Sequence, residues 1–430
     1  MACVVGCSIE NGTLPAMNWR EVNSFNKINH PDLPVFHFSL ACNHCEEAPC
    51  MQNCPALAYT RDEKTGAIIH HAEACIGCKL CTWACPYDAP KFNDATGVIE
   101  KCTFCVDRIN DGQKPACADA CPTGALDFGQ ENISEAEILV PGFVNKSLRP
   151  SIRIVPLREN STSPEIWNLD ARDTTAEEAI NMSPKSVSKV QLSKEWVLVI
   201  FTLTTACLVG WLGANITNGI PLKLQWFLPI SLITILLSSV HLGKKLRAWR
   251  SILNIRRSWL SREILFFSGF IGSGVLYLVF QIPALGHIAL ISGVLSLVSM
   301  DILYRLLERK EEIKIHSAMT FLTGILVFSY LSQSVFLFGF ILTLKLGLYL
   351  YRKVIYIKQK QSCCLIISLL RISPLIISFI MWKSILGSAG WIIPIILLFG
   401  ELIDRSEFYY EAEVISPDKA LTDLMENNTQ

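Results

Sequence analysis

CIGCKLCTWACPYDAPKF, residues 75–92, sets four cysteines at intervals of three, three and four and follows the last with proline. Cys75, Cys78, Cys81, Cys85 and Pro86 match C-x2-C-x2-C-x3-C-P in full, the run that holds bacterial-type [4Fe–4S] clusters. The first three thiolates of such a run hold one cube. The fourth, turned away at the proline, reaches a second. The same ending recurs on both sides. Cys42, Cys45, Cys50 and Cys54 precede Pro55 as C-x2-C-x4-C-x3-C-P, and Cys102, Cys105, Cys117 and Cys121 precede Pro122 as C-x2-C-x11-C-x3-C-P. C-x3-C-P is a repeated unit. Cys3 and Cys7, in MACVVGCSIENG, have the spacing of the back half of a fourth group. Its front half is expected before Met1, from a misassigned start or a fragment. The alternative is a genuine start with two spare thiols.

The composition divides the chain. Of 430 residues, 51% are hydrophobic, and formal net charge is zero, so nothing points to nucleic acid. A mean hydropathy of +0.36 is too high for an ordinary soluble protein. Residues 1–192 are polar and hold 14 of the 17 cysteines; residues 193–405 are apolar runs broken by short basic loops. Thiols at such short gaps suit a metal or cluster better than disulfides between distant strands. No basic start followed by an apolar run, as in a signal peptide, occurs in the first 30 residues. Zinc is the chemical alternative, but its structural sites favour paired CxxC knuckles. His44, inside CNHC, reads as a polar residue of a ligand loop rather than an extra ligand.

Residues 36–129, from FHFSLACNHCEEAPCMQNCP to ACADACPTGALDFG, resemble the iron–sulfur subunit of dimethyl sulfoxide reductase-type molybdoenzymes. The resemblance covers about residues 1–157, through SIRIVPL. It implies an α+β paired-ferredoxin-like domain with four [4Fe–4S] clusters. It also implies the pairing of thiols. Cys42, Cys45 and Cys50 would share a cube with Cys85. Cys75, Cys78 and Cys81 would share one with Cys54, and Cys102, Cys105 and Cys117 one with Cys7. A fourth cube would have Cys3 and Cys121 here, its other two ligands lying upstream. Three ligand sets are thus complete in this chain.

Residues 196–405 read as an all-α transmembrane bundle. A span needs roughly 20 apolar residues. The segments are 196–214, 225–242, 263–282, 286–304, 317–332, 334–351, 365–385 and 388–404. Eight helices are expected, or seven if the fifth and sixth are one. Fifteen Lys and Arg follow the even helices, among them Lys244, Arg256, Arg305, Arg352 and Lys353, against Lys223 and Lys383 in the alternate loops. That asymmetry places the even loops, both termini and the cluster domain on the cytoplasmic side of a bacterial inner membrane. A twin-arginine export signal on a family-type catalytic partner would instead carry the cluster domain outward.

Ionisable residues in such a bundle mark function. Lys345 and Arg371 are expected to snorkel to the interface. Asp301 and Glu401 are expected either to pair with basic loops or to serve function. His241 and Glu263 flank one basic loop and could accept or relay the two protons a quinol releases. HLGKKLRAWRSILNIRRSWLSREI and GELIDRSEFYYE resemble the membrane-anchor subunit of the same enzymes, which has eight helices and oxidises menaquinol. The resemblance places that subunit's quinol-site His and Glu on His241 and Glu263.

Residues 158–195 form a polar linker with one short helix expected around 174–182, and 406–430 a polar tail. The chain therefore reads as two fused subunits. It would pass electrons from menaquinol through clusters to a separate molybdopterin-containing catalytic subunit, carrying no bond-cleaving residues of its own. That partner, the lipid bilayer and the quinol pool are the expected interactors. The terminal substrate is not encoded here. Rival readings are the reverse direction, as a quinone-reducing dehydrogenase subunit, a membrane-tethered redox sensor, and a structural metal-binding anchor.

Overall fold

A computed structural model describes residues 1–13, 17–25, 36–130, 148–154, 192–306, 316–358, 365–384 and 392–411. Most of the expected linker, including 174–182, and most of the expected tail lie outside these residues. Two compact units divide between Lys189 and Val190.

The first unit is built on three antiparallel hairpins. β1 (Glu21–Phe25) pairs with β2 (Phe36–Leu40), β3 (Tyr59–Arg61) with β4 (Ile68–His70), and β5 (Lys91–Asn93) with β6 (Val98–Glu100). The second and third hairpins are copies. Each follows a Cys-Pro step and turns on Asp62-x-x-Thr65-Gly66 or Asn93-x-x-Thr96-Gly97. Gly66 donates its N–H to the Asp62 carbonyl at 2.9 Å, and Gly97 to Asn93 at 2.8 Å. Both glycines are left-handed, at φ 70° and 67°, a conformation that costs a residue without Cβ little. Asp62 Oδ2 accepts the Thr65 N–H and Asn93 Oδ1 the Ala95 N–H, which locks each turn from its first residue.

Short helices lie among the cysteine loops: α2 (Pro49–Gln52) with Cys50, α3 (Leu80–Ala84) with Cys81, α4 (Val106–Asn110) and α5 (Ala116–Asp119) with Cys117. The N-terminal α1 (Ala2–Asn11) packs on α5. Gly6 permits that approach, since a Cβ there would lie 2.7 Å from Ala120 Cβ and 3.0 Å from the Ala116 carbonyl oxygen. Arg108 fastens the pair, reaching Glu10 at 3.0 Å and Asp119 at 2.9 Å. The core is unusually small-sided, with Ala48, Ala56, Ala58 and Ala67 buried beside Ile68, Ile76 and Ile99.

The second unit is helical: α6 (Leu192–Asn218), α7 (Leu224–Val240), α8 (Trp259–Phe280), α9 (Pro283–Leu303), α10 (Thr320–Leu331), α11 (Val335–Lys358), α12 (Leu365–Ser384) and α13 (Ile392–Glu411). A helix overlies each expected segment. Four of them, α6, α8, α9 and α11, are long and apolar enough to cross a membrane. A fifth candidate is α7 with the 3-10 segment Lys245–Ile252, bent by 101°. At 12 residues, α10 rises only about 18 Å, short of a bilayer core. Gln333, at φ 54°, sits in the break between α10 and α11, which are separate helices.

α6 is the hub. Its apolar window is 72% buried, against 28% for α8, and it packs on α7, α9, α10 and α13. Small residues let the backbones close. A Cβ on Gly210 of α6 would meet the Gly324 carbonyl oxygen of α10 at 2.7 Å. Without a hydrophobic drive between helices in lipid, such approach supplies the packing energy. Outer faces expose Ile233, Leu236, Ile291, Phe336 and Ile366, an apolar surface suited to lipid chains.

Candidate functional site: thiol cradles and a buried charge network

The three complete cysteine groups share one local geometry. In each, the second residue after the first cysteine is left-handed: His44 at φ 43°, Gly77 at 69° and Phe104 at 63°. That bend turns its N–H back on the sulfur. His44 N–H points to Cys42 Sγ at 3.5 Å, Gly77 to Cys75 at 3.4 Å and Phe104 to Cys102 at 3.3 Å. The third residue after each closing cysteine is left-handed as well, at Leu57, Asp88 and Gly124. After Cys54 this curl lets the Ala58 N–H donate to Cys54 Sγ at 3.3 Å. Backbone donors aimed at sulfur stabilise thiolate and so prepare it as a ligand.

The folded chain brings together thiols from different groups. Cys54, Cys75, Cys78 and Cys81 line one pocket. Cys85 acts electrostatically on Cys45 and Cys50, which also feel Cys42. Cys7 feels Cys102, Cys117 and Cys105. Cys3 and Cys121 lie outside these three sets; Cys3 Sγ is 3.6 Å from Ser39 Oγ and Cys121 Sγ 3.6 Å from Thr123 Oγ1. Every described cysteine is a free thiol. Among the described residues no three His, Cys, Asp or Glu side chains converge on a single-ion position. Zinc would need its thiolates about 2.3 Å from one centre. Thiols that ring a volume fit a cube instead.

Charge differs within one set. Burial opposes ionisation of Cys42, but His44 and Lys101 beside it outweigh burial and bring the thiol down to about 5. Burial and the neighbouring thiols push Cys45 up to about 12. Lys101 is itself buried, its Nζ donating to the carbonyls of Ile68 at 2.5 Å and Cys102 at 2.7 Å.

In the helical unit, His241 ends α7 at the bend and Glu263 is buried one turn into α8. Glu263 Oε2 has no hydrogen-bond partner among the described residues, and its charged neighbours are Arg405 and Asp301.

Lys345 and Arg371 do not snorkel. Both are fully buried, and both point inward to Glu401, at 2.9 and 3.0 Å. Arg371 also meets Asp404 at 2.9 Å. A second branch links Arg352 and Lys353 to Glu407. These two cations were expected in a loop, but α11 continues through them to Lys358. Asp301 caps α10. Its Oδ1 accepts the Thr320 N–H at 2.7 Å and its Oδ2 the Phe321 N–H at 2.9 Å. The network was missed because charges were weighed singly. Lys345, Tyr349 and Arg352 recur at helical spacing, as do Glu401, Asp404 and Phe408, so each set shares a helix face.

Two family models match: "4Fe-4S dicluster domain" over residues 33–131 and "DMSO reductase anchor subunit (DmsC)" over residues 191–386. One polypeptide of the anaerobic dimethyl sulfoxide reductase of Escherichia coli is 35% identical over 135 residues, 30% of this chain and 65% of the relative. One polypeptide of the tetrathionate reductase of Salmonella typhimurium is 34% identical over 174 residues, 40% of this chain and 68% of that one. One polypeptide of the sulfite dehydrogenase of Allochromatium vinosum is 37% identical over 128 residues, 28% and 53% respectively.

Proposed function

This protein belongs to the iron–sulfur electron-transfer subunits of dimethyl sulfoxide reductase-type oxidoreductases, carried here with an anchor domain of the same enzymes, and from that premise we propose that it moves electrons between menaquinol and a separate molybdopterin-containing catalytic subunit. The observation that carries the reading is the cavity ringed by Cys54, Cys75, Cys78 and Cys81, thiols of two sequence groups meeting around one volume. Bound in such cradles, [4Fe–4S] cubes supply one-electron carriers. The ligand sets are Cys42, Cys45, Cys50 with Cys85; Cys75, Cys78, Cys81 with Cys54; and Cys102, Cys105, Cys117 with Cys7. Cys3 and Cys121 are this chain's pair for a fourth. The chain's own contribution is burial, backbone N–H donors to sulfur and fixed spacing.

At the other end, His241 and Glu263 handle protons as menaquinol gives up two electrons and two protons. Glu263 is suited to that task because it is buried with an unpartnered carboxylate oxygen. The paired-ferredoxin arrangement and eight membrane crossings belong to this reading, with the shorter helices α10 and α12 completing the bundle. The cluster unit lies on the cytoplasmic side, since thirteen cations at and beyond the ends of the even helices remain against two at the opposite ends once buried Arg352 and Lys353 are set aside. The similarity to a sulfite dehydrogenase polypeptide favours one alternative, the same parts run toward quinone reduction.

Affinity isolation of the detergent-solubilised protein, with metal analysis of the eluate, tests the assignment. A large co-eluting chain with molybdenum or tungsten, and iron in multiples of four, is the expected result. Iron-bearing protein that elutes alone, with neither metal, would sink it.

A further inference from the structure

We propose that the 3-10 segment Lys245–Ile252, with the turn that leads from it to α8, lies in the plane of the membrane surface and holds anionic phospholipid there, its apolar row among the acyl chains and its cations on the phosphates. This role is independent of cluster binding and of quinol chemistry.

The segment is built inside out for water. α7 ends at His241 and the chain then bends by 101°, so the segment runs across the direction of α7. In a 3-10 helix, residues three apart eclipse one another. Leu246, Trp249 and Ile252 therefore stand in one row. All three are exposed, Leu246 at 96% and Trp249 at 63%. Leu253 and Ile255, next in the chain, are exposed as well. The buried residues of this stretch are polar: Ser251, Asn254, Ser258 and Ser261. Ser261 Oγ donates to the Ser251 carbonyl at 2.6 Å. Arg262 Nε and Nη2 donate to the carbonyls of Ile255 and Arg256, at 2.9 and 2.6 Å. These bonds tie the polar side to the start of α8 and leave the apolar row facing outward.

A row of this kind is costly in water. At a membrane surface it is favourable, because apolar side chains enter the acyl boundary and tryptophan sits at headgroup level. Two observations point to lipid as the occupant. The row follows directly on the lipid-suited face of α7, where Leu236 and Val240 are exposed just before the bend. Residues 244–262 also carry seven Lys and Arg and no Asp or Glu. Of these, Lys245, Arg256 and Arg257 are exposed. Arg250 and Arg262 lie over the rings of Trp249 and Trp259, at 5.4 and 4.3 Å. Cations thus stand beside the apolar residues.

An anionic phospholipid meets both parts at once. Its acyl chains take Leu246 and Trp249, and its phosphate takes the ammonium and guanidinium groups, whose stems reach from the apolar level to the headgroups. A neutral lipid serves the row equally well but offers no net charge. Enrichment of anionic lipid beside this segment is therefore the mark of the cations, and it weakens with salt because exposed charges are screened.

The test places a bimane fluorophore on Leu246→Cys in the full-length protein, reconstituted in phosphatidylcholine bilayers that hold a minority of phosphatidylglycerol. Bromine on the acyl chains of one lipid or the other quenches the fluorophore, and the unsubstituted chain treated in the same way supplies the background. Per mole of brominated lipid, phosphatidylglycerol should quench about twofold or more above phosphatidylcholine. Lys244→Gln, Lys245→Gln, Arg247→Gln and Arg250→Gln together should abolish that preference and leave quenching by phosphatidylcholine in place. Equal quenching by the two lipids before these substitutions, or a preference that survives them, overturns the proposal. Absence of quenching by either lipid overturns it too, whether the row is then covered by protein or left in water. Should the fourfold variant not assemble, salt carries the test on Leu246→Cys alone: the preference falls as salt rises, and a preference indifferent to salt overturns the proposal.

Discussion

A single thiol or carboxylate here answers to several neighbours, and its loss is predictable from them. Cys81 is buried in the cavity it shares with Cys54, Cys75 and Cys78. Cys81→Ala should remove one cube, four irons per chain, and spare the other two complete sets; iron and sulfide analysis with EPR measures it. Unchanged iron would mean that the cavity is not a cluster site. Glu401 faces Lys345 and Arg371 at once. Glu401→Gln leaves both cations buried and short of a counter-charge, a loss of about 3–5 kcal/mol. Thermal unfolding in detergent should show a clearly lower Tm, and an unchanged Tm would contradict the pairing. These two sites differ in how readable they are. The cysteines announce themselves because ligand spacing is local. Glu401, Lys345 and Arg371 stand on three different helices, and no local pattern says which helices touch.

Among the elements, α1 is the most exposed to a single change. It holds Cys7 against the Cys102 set chiefly through its seat on α5, with Arg108 reaching Glu10 beside it. Gly6→Val would press a branched side chain where even a Cβ comes within 2.7 Å of Ala120. Overpacking of that kind costs about 1–3 kcal/mol. The expected outcome is loss of the Cys7 set's cube, with the Cys75 set's signal retained; retention of both would show that α1 is not what delivers Cys7. The helices of the second unit show the reach and limit of hydropathy. Apolar runs located every one of α6–α13. They missed the ends, since α11 continues past its apolar stretch through Arg352 and Lys353, whose charges Glu407 satisfies inside the bundle. They also missed the 101° turn after α7, because a bend is a backbone event that apolarity does not register. The hairpin copies went unread for a similar reason: Asp62 and Asn93 differ in letter while making the same turn.

At the scale of the molecule, the reading requires two separable activities, proton-coupled oxidation of a quinol at one end and one-electron carriage at the other. On the proposed function, Glu263 would serve the first alone. Glu263→Gln keeps the shape of the side chain and removes its capacity to take a proton. Menaquinol-dependent turnover of the holo-complex should fall by about 10²-fold, the lower range for loss of a positioned acid or base. Turnover driven by reduced viologen, which feeds the clusters directly, should stay at the wild-type rate. Equal loss in both assays would mean a folding defect, and no loss in either would remove Glu263 from the quinol site. Membrane sidedness is checked separately by Arg256→Cys in the loop between α7 and α8. An impermeant thiol reagent should label it in inverted vesicles and not in intact cells, and the opposite pattern would put the cluster unit outside. Direction then follows from the clusters themselves. If their potentials lie above that of menaquinone, electrons run from quinol toward the catalytic partner. If they lie well below, the same residues serve a dehydrogenase, and Glu263 delivers protons to a quinone instead of receiving them from a quinol.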